Sequence, residues 1–366
     1  MSRSILFSAL ASVLLAAPAF AQSQAKGAVF SMTNATAGNE IVAFERGQHG
    51  DLTLIGNTPT NGTGNGKALE SQGSLVMTKD GKFLVAVNAG SDEITVFSVQ
   101  GTTLTQTDKI ASGGNKPVSL ALSPDALYVL NAGNPNSISG FTLDAQGKLT
   151  AIAGSTLALS AAQVAPAQIG WSPNGSLLLV SEKDTNMVDT IAIDTATNAP
   201  LTLTAMPSVG RTPFGFAFRG EHHVFVAEAN GGLIDGGTVS AYGVRQGQLT
   251  HVQASLPTTE TSTCWMVTSG AKPFAYVSNT GSNSITGFHI KDGVSLELLS
   301  HDGLTATAGN APADLAIARG MHFLYALNTG DGTVSGWVVE QNGSLTSVGT
   351  SAVALPMIGA AGLVAR

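Results

Sequence analysis

Two carboxylates, Glu182 and Glu228, stand 46 positions apart, and each closes an apolar run of the same form, Leu178-Leu179-Val180-Ser181-Glu182 and Val224-Phe225-Val226-Ala227-Glu228. Acids brought together from separate elements repel unless one is protonated, bound by a cation or paired, so such a pair suits a general acid and base or a cation site. Lys116, Arg211, Lys183, Gln168 and Asp314 fall in or beside loops of the same type. They are the candidates to hold a substrate carboxylate or an oxyanion, a task for preorganised donors and cations. Trp265 offers a face on which a sugar or ring can stack.

Other chemistry is poorly supplied. Cys264 is the only cysteine, so it has no internal disulfide partner, and no histidine occupies a matching position to serve as its base. His222 and His223 are consecutive and point to opposite faces of a strand, which does not make a zinc pattern. Gly62-Thr63-Gly64-Asn65-Gly66-Lys67 is spelled like a phosphate loop, but Ala68 follows the lysine and no helix follows that. The chain is expected to use neither metal nor cofactor.

The elements that must position these groups come from a repeat. An apolar strand ending in a polar residue, a tight turn and a second strand occur seven times, with the copies ending at Asn34, Asn88, Asn131, Glu182, Glu228, Asn279 and Asn328. A period of about 50 residues is the length of one four-stranded propeller blade. Each copy leads into a strand of period two, such as Ser137-Ile138-Ser139-Gly140-Phe141, and a further strand after a glycine turn, as in Gly147-Lys148-Leu149-Thr150. A short strand of small residues precedes most copies and suits the crowded position beside a central axis. The first copy lacks that strand, and Ala361-Gly362-Leu363-Val364-Ala365-Arg366 supplies it from the other end. The expected fold is all-β: a seven-bladed β-propeller of four-stranded antiparallel blades over residues 27–366, closed by pairing the C-terminal strand with the N-terminal blade, which removes open edges.

Antiparallel neighbours place the start of each inner strand at the face where the second strand ends. The seven strand-terminal residues are therefore expected around one mouth of the channel. Turn chemistry accounts for the asparagines there, since Asn tolerates left-handed backbone and bonds its own chain. It does not account for two carboxylates in adjacent blades.

Met1-Ser2-Arg3, an apolar run from Ile5 to Ala17, and the small residues Ala19 and Ala21 read as a secretory signal peptide over residues 1–21, with a short linker at 22–26. The mature chain is expected in the periplasm or outside the cell. No later stretch is long and apolar enough to span a bilayer. With 17 basic against 24 acidic side chains and no basic cluster, nucleic acid and anionic membrane are poor partners.

Gln72-Gly73-Ser74-Leu75, Val87-Asn88-Ala89-Gly90-Ser91, Ala165-Pro166-Ala167-Gln168, Ser181-Glu182-Lys183, Thr212-Pro213-Phe214-Gly215-Phe216 and Cys264-Trp265 resemble the secreted bacterial branch of the lactonase-type propellers, the family of 6-phosphogluconolactonases and carboxymuconate cyclases. The resemblance runs from about Lys26 to the C-terminus. It implies lactone hydrolysis, with Glu228 matching a glutamate of the family. The family's Pro-His-x-His stands here as Pro166-Ala167-Gln168-Ile169, and its Pro-Arg-His as Pro213-Phe214-Gly215. Export implies an unphosphorylated lactone or sugar acid. The expected activity is a lactone hydrolase in which Glu228, helped by Glu182, activates water. The alternative is a non-catalytic propeller binding a protein or polysaccharide on its loop face.

Overall fold

The computed structural model describes residues 26–366 apart from Gln246 and Ala271. The expected signal peptide, its cleavage site and most of the linker lie outside the described residues. Among the described residues, no helix is long and apolar enough to cross a membrane.

Seven antiparallel sheets form the ring. Blades two to seven begin at the channel with the inner strands Leu75–Met77, Pro117–Leu122, Pro166–Trp171, Pro213–Arg219, Thr263–Thr268 and Pro312–Ile317. Blade one takes its inner strand, Ala361–Ala365, from the C-terminus; it pairs with Gly27–Met32 from Val29↔Ala365 to Met32↔Ala361. The backbones of Arg366 and Ala28 exchange both their hydrogen bonds, at 2.8 and 3.2 Å. The closure read from the repeat is thus the one observed.

The second strands, such as Leu177–Glu182 and Phe274–Asn279, are buried at every residue or at all but the first, because each is covered on both faces by neighbouring blades. That explains their continuous apolar spelling. Outer strands such as Pro200–Pro207 are half exposed and read as mixed. The glycine of the recurring Ser/Thr-Gly-aromatic third strand answers to packing. A Cβ at Gly140, Gly287 or Gly336 would come within about 3.1 Å of the ring of Tyr128, Tyr276 or Tyr325, its cross-strand neighbour.

One register differs from the repeat as read. Met32 pairs with Ile41, so Thr33 stands where Asn88 stands in blade two, opposite Glu93. Asn34 lies one position beyond. The strand-terminal ring therefore holds four asparagines, Asn88, Asn131, Asn279 and Asn328, with Thr33, Glu182 and Glu228.

Candidate functional site

The strand-terminal side chains do not open onto the channel. Asn88, Asn131, Glu182, Glu228, Asn279 and Asn328 are all 0% exposed and lie inside the ring of blades. Each is a clasp. Asn279 donates to Ser284 at 3.0 Å and Thr286 at 2.9 Å on its own third strand, and accepts from Thr263 at 2.7 Å. Asn88 donates to Thr95 and accepts from Thr60 and Asn39 of blade one. Glu228 accepts from the Gly210 amide at 2.9 Å and from Thr238, and Glu182 accepts from the Ser160 amide and hydroxyl and from Thr185. These partners all donate, so an acceptor-only carboxylate fits where Asn stands elsewhere. The expectation that Glu182 and Glu228 face the channel mouth is corrected accordingly: strand alternation turns both away from it.

The next residue along does face the mouth. Lys183, Ala229, Thr280 and Thr329, each one position after a clasp, line a cavity of about 720 Å³ at the end of the channel where the inner strands begin. Lys183 is the only charged side chain in that set. Asp314, Trp265 and Cys264 line the same cavity, on register shifts at the starts of their inner strands, Pro312/Leu315 and Thr263/Trp265. Of the other candidates, Lys116 and Arg211 are exposed and are not among the lining residues. Gln168 lies deeper, bonding the Phe216 amide at 2.6 Å and its carbonyl at 3.1 Å, and so ties two inner strands together.

The cavity has a floor. Residues 69–73 leave the blade-two position and cross the channel. Ser71 donates to the Val118 carbonyl, Gln72 donates through its amide to Ala167, and its side chain exchanges two hydrogen bonds with the Met266 backbone at 2.7 and 2.9 Å. Gly73 donates to Asp314 at 3.3 Å, and the Trp265 indole donates to the Ser71 carbonyl at 3.0 Å. The segment thereby reaches blades three, four, six and seven. A Cβ at Gly215 would stand 2.1 Å from the Gln72 side-chain oxygen, so glycine is needed beside the plug. Below it lies a separate void of about 570 Å³, with Gln72 in its wall. Glu70, Gln72 and Phe214 are the site residues that sequence reasoning missed. The entry to blade two lacks the proline found at Pro117, Pro166, Pro213 and Pro312, but blade six, entered at Thr263, lacks it as well, so no local signal singled out the plug.

Burial governs the electrostatics. The Lys183 side chain is 9% exposed; its ammonium donates to the Glu70 carbonyl at 2.6 Å, lies 3.5 Å from the Glu70 carboxylate, and sits 4.7 Å above the Phe214 ring centre. Desolvation lowers its pKa from the ordinary lysine value, with Glu70 opposing. Burial pushes Asp314 up to about 7, although amides of Gly73, Leu315 and Leu363 favour its charged form. The Cys264 thiol is pushed up to about 12 by burial, which leaves it protonated and a poor nucleophile at neutral pH.

The rim is held in unusual backbone. Lys116, Ala165, Thr212, Ser262 and Ala311, each the residue before an inner strand, and Glu70 in the crossing segment have φ between 47° and 57°. Such residues cost about 1–3 kcal/mol each and persist where their surroundings over-determine them. Here turn residues of the preceding blade do so: Asp92, Asn186 and Asn283 accept from the amides of Lys116, Thr212 and Ala311 at 2.6, 2.6 and 2.8 Å. The cavity wall is thus preorganised.

Comparison with known proteins agrees with this architecture. No curated protein matches the chain in sequence. Among solved structures, a candidate 6-phosphogluconolactonase of Bacteroides fragilis superposes with a TM-score of 0.72 at 19% identity, covering 95% of this chain and 99% of that one. The periplasmic gluconolactonase of Pseudomonas aeruginosa gives 0.71 at 16%, over 92% and 98%. A protein of Lactobacillus plantarum gives 0.73 at 17%, over 93% and 99%. At these identities the likeness is one of fold. The family model described as lactonase, 7-bladed beta-propeller matches residues 36–161, 135–267 and 238–359, which together cover most of the ring, and the chain therefore belongs to that family.

Proposed function

We infer that the channel-mouth cavity is the site of an exported lactonase acting on an unphosphorylated lactone. The observation that carries this reading is a single buried ammonium, Lys183, in a floored cavity that also holds Asp314, an acid whose pKa of about 7 suits a general base. Water attacks the ring carbonyl carbon and passes its proton to the Asp314 carboxylate. The Lys183 ammonium stabilises the oxyanion of the tetrahedral intermediate, the ring C–O bond breaks, and the departing alkoxide recovers the proton from Asp314. One cation among the carboxylates of Glu70, Asp184 and Asp314 suits a neutral substrate better than a phosphate, which is held by clusters of cations and amides. The setting outside the cytoplasm rests on the N-terminal segment. A closed floor favours a small molecule over a protein or polysaccharide docked across a flat rim.

The test is pH-stat hydrolysis of a panel of sugar and aliphatic lactones by the wild type, Lys183→Met and Asp314→Asn. Turnover by the wild type and its loss in both variants is expected. No turnover by the wild type, or equal turnover by all three proteins, would sink the assignment.

A further inference from the structure

Much of the cavity wall is hydrocarbon. Leu69, Phe214, Trp265 and Leu327 line it, with alanines between them. Three of its five hydroxyls are spent on the protein: Thr280 donates to the Pro312 carbonyl at 2.9 Å, Thr329 to Ala311 at 3.0 Å and Ser71 to Val118 at 2.8 Å, while Thr212 accepts from the Gly231 amide and Ser262 completes the set. The Trp265 N–H is likewise used. A ligand lying against Leu69, Phe214, Trp265 and Leu327 gains from apolar surface, at roughly 25 cal/mol for each Å² buried.

The apolar character continues outward. In blade five the turn after Glu228 runs to Thr238, ten positions on, where blade six goes from Asn279 to Ser284 in five. The longer turn begins at cavity-lining Ala229 and Gly231, and carries Leu233 and Ile234, 62% and 79% exposed. On the side where blade one is entered, Met357 and Ile358 are 65% and 73% exposed, shortly before Ala360 and Ala361, which line the cavity. Leu233 and Ile234 thus follow the cavity-lining Gly231 by two and three positions, while Met357 stands with Val353 in a separate groove.

Resting on the lactonase reading above, we propose that the substrate is a lactone carrying a hydrocarbon chain, with its ring at Lys183 and Asp314 and its chain running out of the cavity across Leu233 and Ile234. Sugar lactones are the poorer class. Hydrolysis opens the ring to a hydroxy acid whose new carboxylate meets the Lys183 ammonium while the chain keeps its apolar contacts.

The experiment measures kcat/KM for γ-butyrolactone, γ-hexalactone, γ-octalactone, γ-decalactone and glucono-δ-lactone with the wild type and with a Leu233→Ser/Ile234→Ser double variant, folding being checked by circular dichroism. Each fully buried methylene is worth roughly fourfold, so kcat/KM is expected to climb at least tenfold from γ-butyrolactone to γ-octalactone and to exceed that for glucono-δ-lactone. In the folded double variant the decalactone-to-butyrolactone ratio should fall about tenfold. Turnover that is flat with chain length, highest on glucono-δ-lactone, or unchanged in ratio in the double variant overturns the chain-bearing substrate and leaves the lactonase standing. Absence of turnover on every lactone overturns both.

Discussion

Two rings of residues, one position apart in the chain, run around the same end of the propeller. The inner sides of the blades hold Thr33, Asn88, Asn131, Glu182, Glu228, Asn279 and Asn328, polar and buried, binding strands and blades to one another. The following residues include Ala89, Ala132, Lys183, Ala229, Thr280 and Thr329, and four of these face the cavity. Glu182 and Lys183 show the difference most directly. Both are charged and inaccessible or nearly so, yet one is a strut and the other is the single cation of the site. Burial of a charged group marks either stability or function, and its partners tell which.

The largest effect expected from this contrast is on rate. Lys183→Met removes a cavity ammonium and should cut kcat/KM by about 10² to 10³, the range for losing an oxyanion donor. Methionine fills similar apolar volume and the partner left behind, Glu70, is largely exposed, so the melting temperature should not fall. The complementary change is Asn279→Ala, which deletes three side-chain hydrogen bonds of a clasp. It should cost about 2–4 kcal/mol in denaturant unfolding and leave kcat/KM of the folded fraction within about twofold. A folded but inactive Asn279→Ala protein would show that clasp and cavity are not separate.

The ring closure was legible because it rests on a count: six inner strands precede their copies, and the seventh, Ala361–Ala365, comes from the far end of the chain. The cavity was half legible. Lys183, Asp314 and Trp265 sit where loop and inner-strand positions placed them, but Glu182 and Glu228 were assigned to the channel because a strand end read as a motif does not reveal which way its last side chain points. Aligning the first copy on Asn34 instead of Thr33 concealed the same one-residue parity. The plug was illegible for another reason. Gln72 acts through Met266, 194 positions away, and no local pattern reports a contact across the channel.

A smaller separation is expected in pH dependence. Asp314 works as a base only when ionised, and burial places its pKa at about 7. In the wild type kcat/KM should therefore rise across about pH 6 to 8. Lys183 must be protonated, and burial lowers its pKa, so the falling limb should come earlier than the ordinary lysine value of 10.5. Changing Glu182 or Glu228 to Gln should leave both limbs in place, since neither lines the cavity.

The last contrast lies within the clasps and concerns stability alone. Where blades two, three, six and seven set Thr95, Ser139, Thr286 and Ser335 against their asparagines, blade four sets Asp189 against Glu182. Asp189 is 0% exposed, and among the described residues no donor reaches either of its oxygens. Burial, and then the neighbouring Glu182 carboxyl, raise its pKa, which favours the protonated acid in the folded protein. A raised folded pKa means that the stability conferred by this proton is complete below the unfolded value of 3.8 and is lost as pH rises toward the folded pKa. Asp189→Asn supplies a permanent N–H donor in the same volume. It should stabilise the protein by about 1–2 kcal/mol at pH 8, with the gain disappearing near pH 4. Melts of both proteins across that range check it: a pH-independent difference, or a loss of stability at pH 8, would mean that Asp189 is not held protonated in the fold.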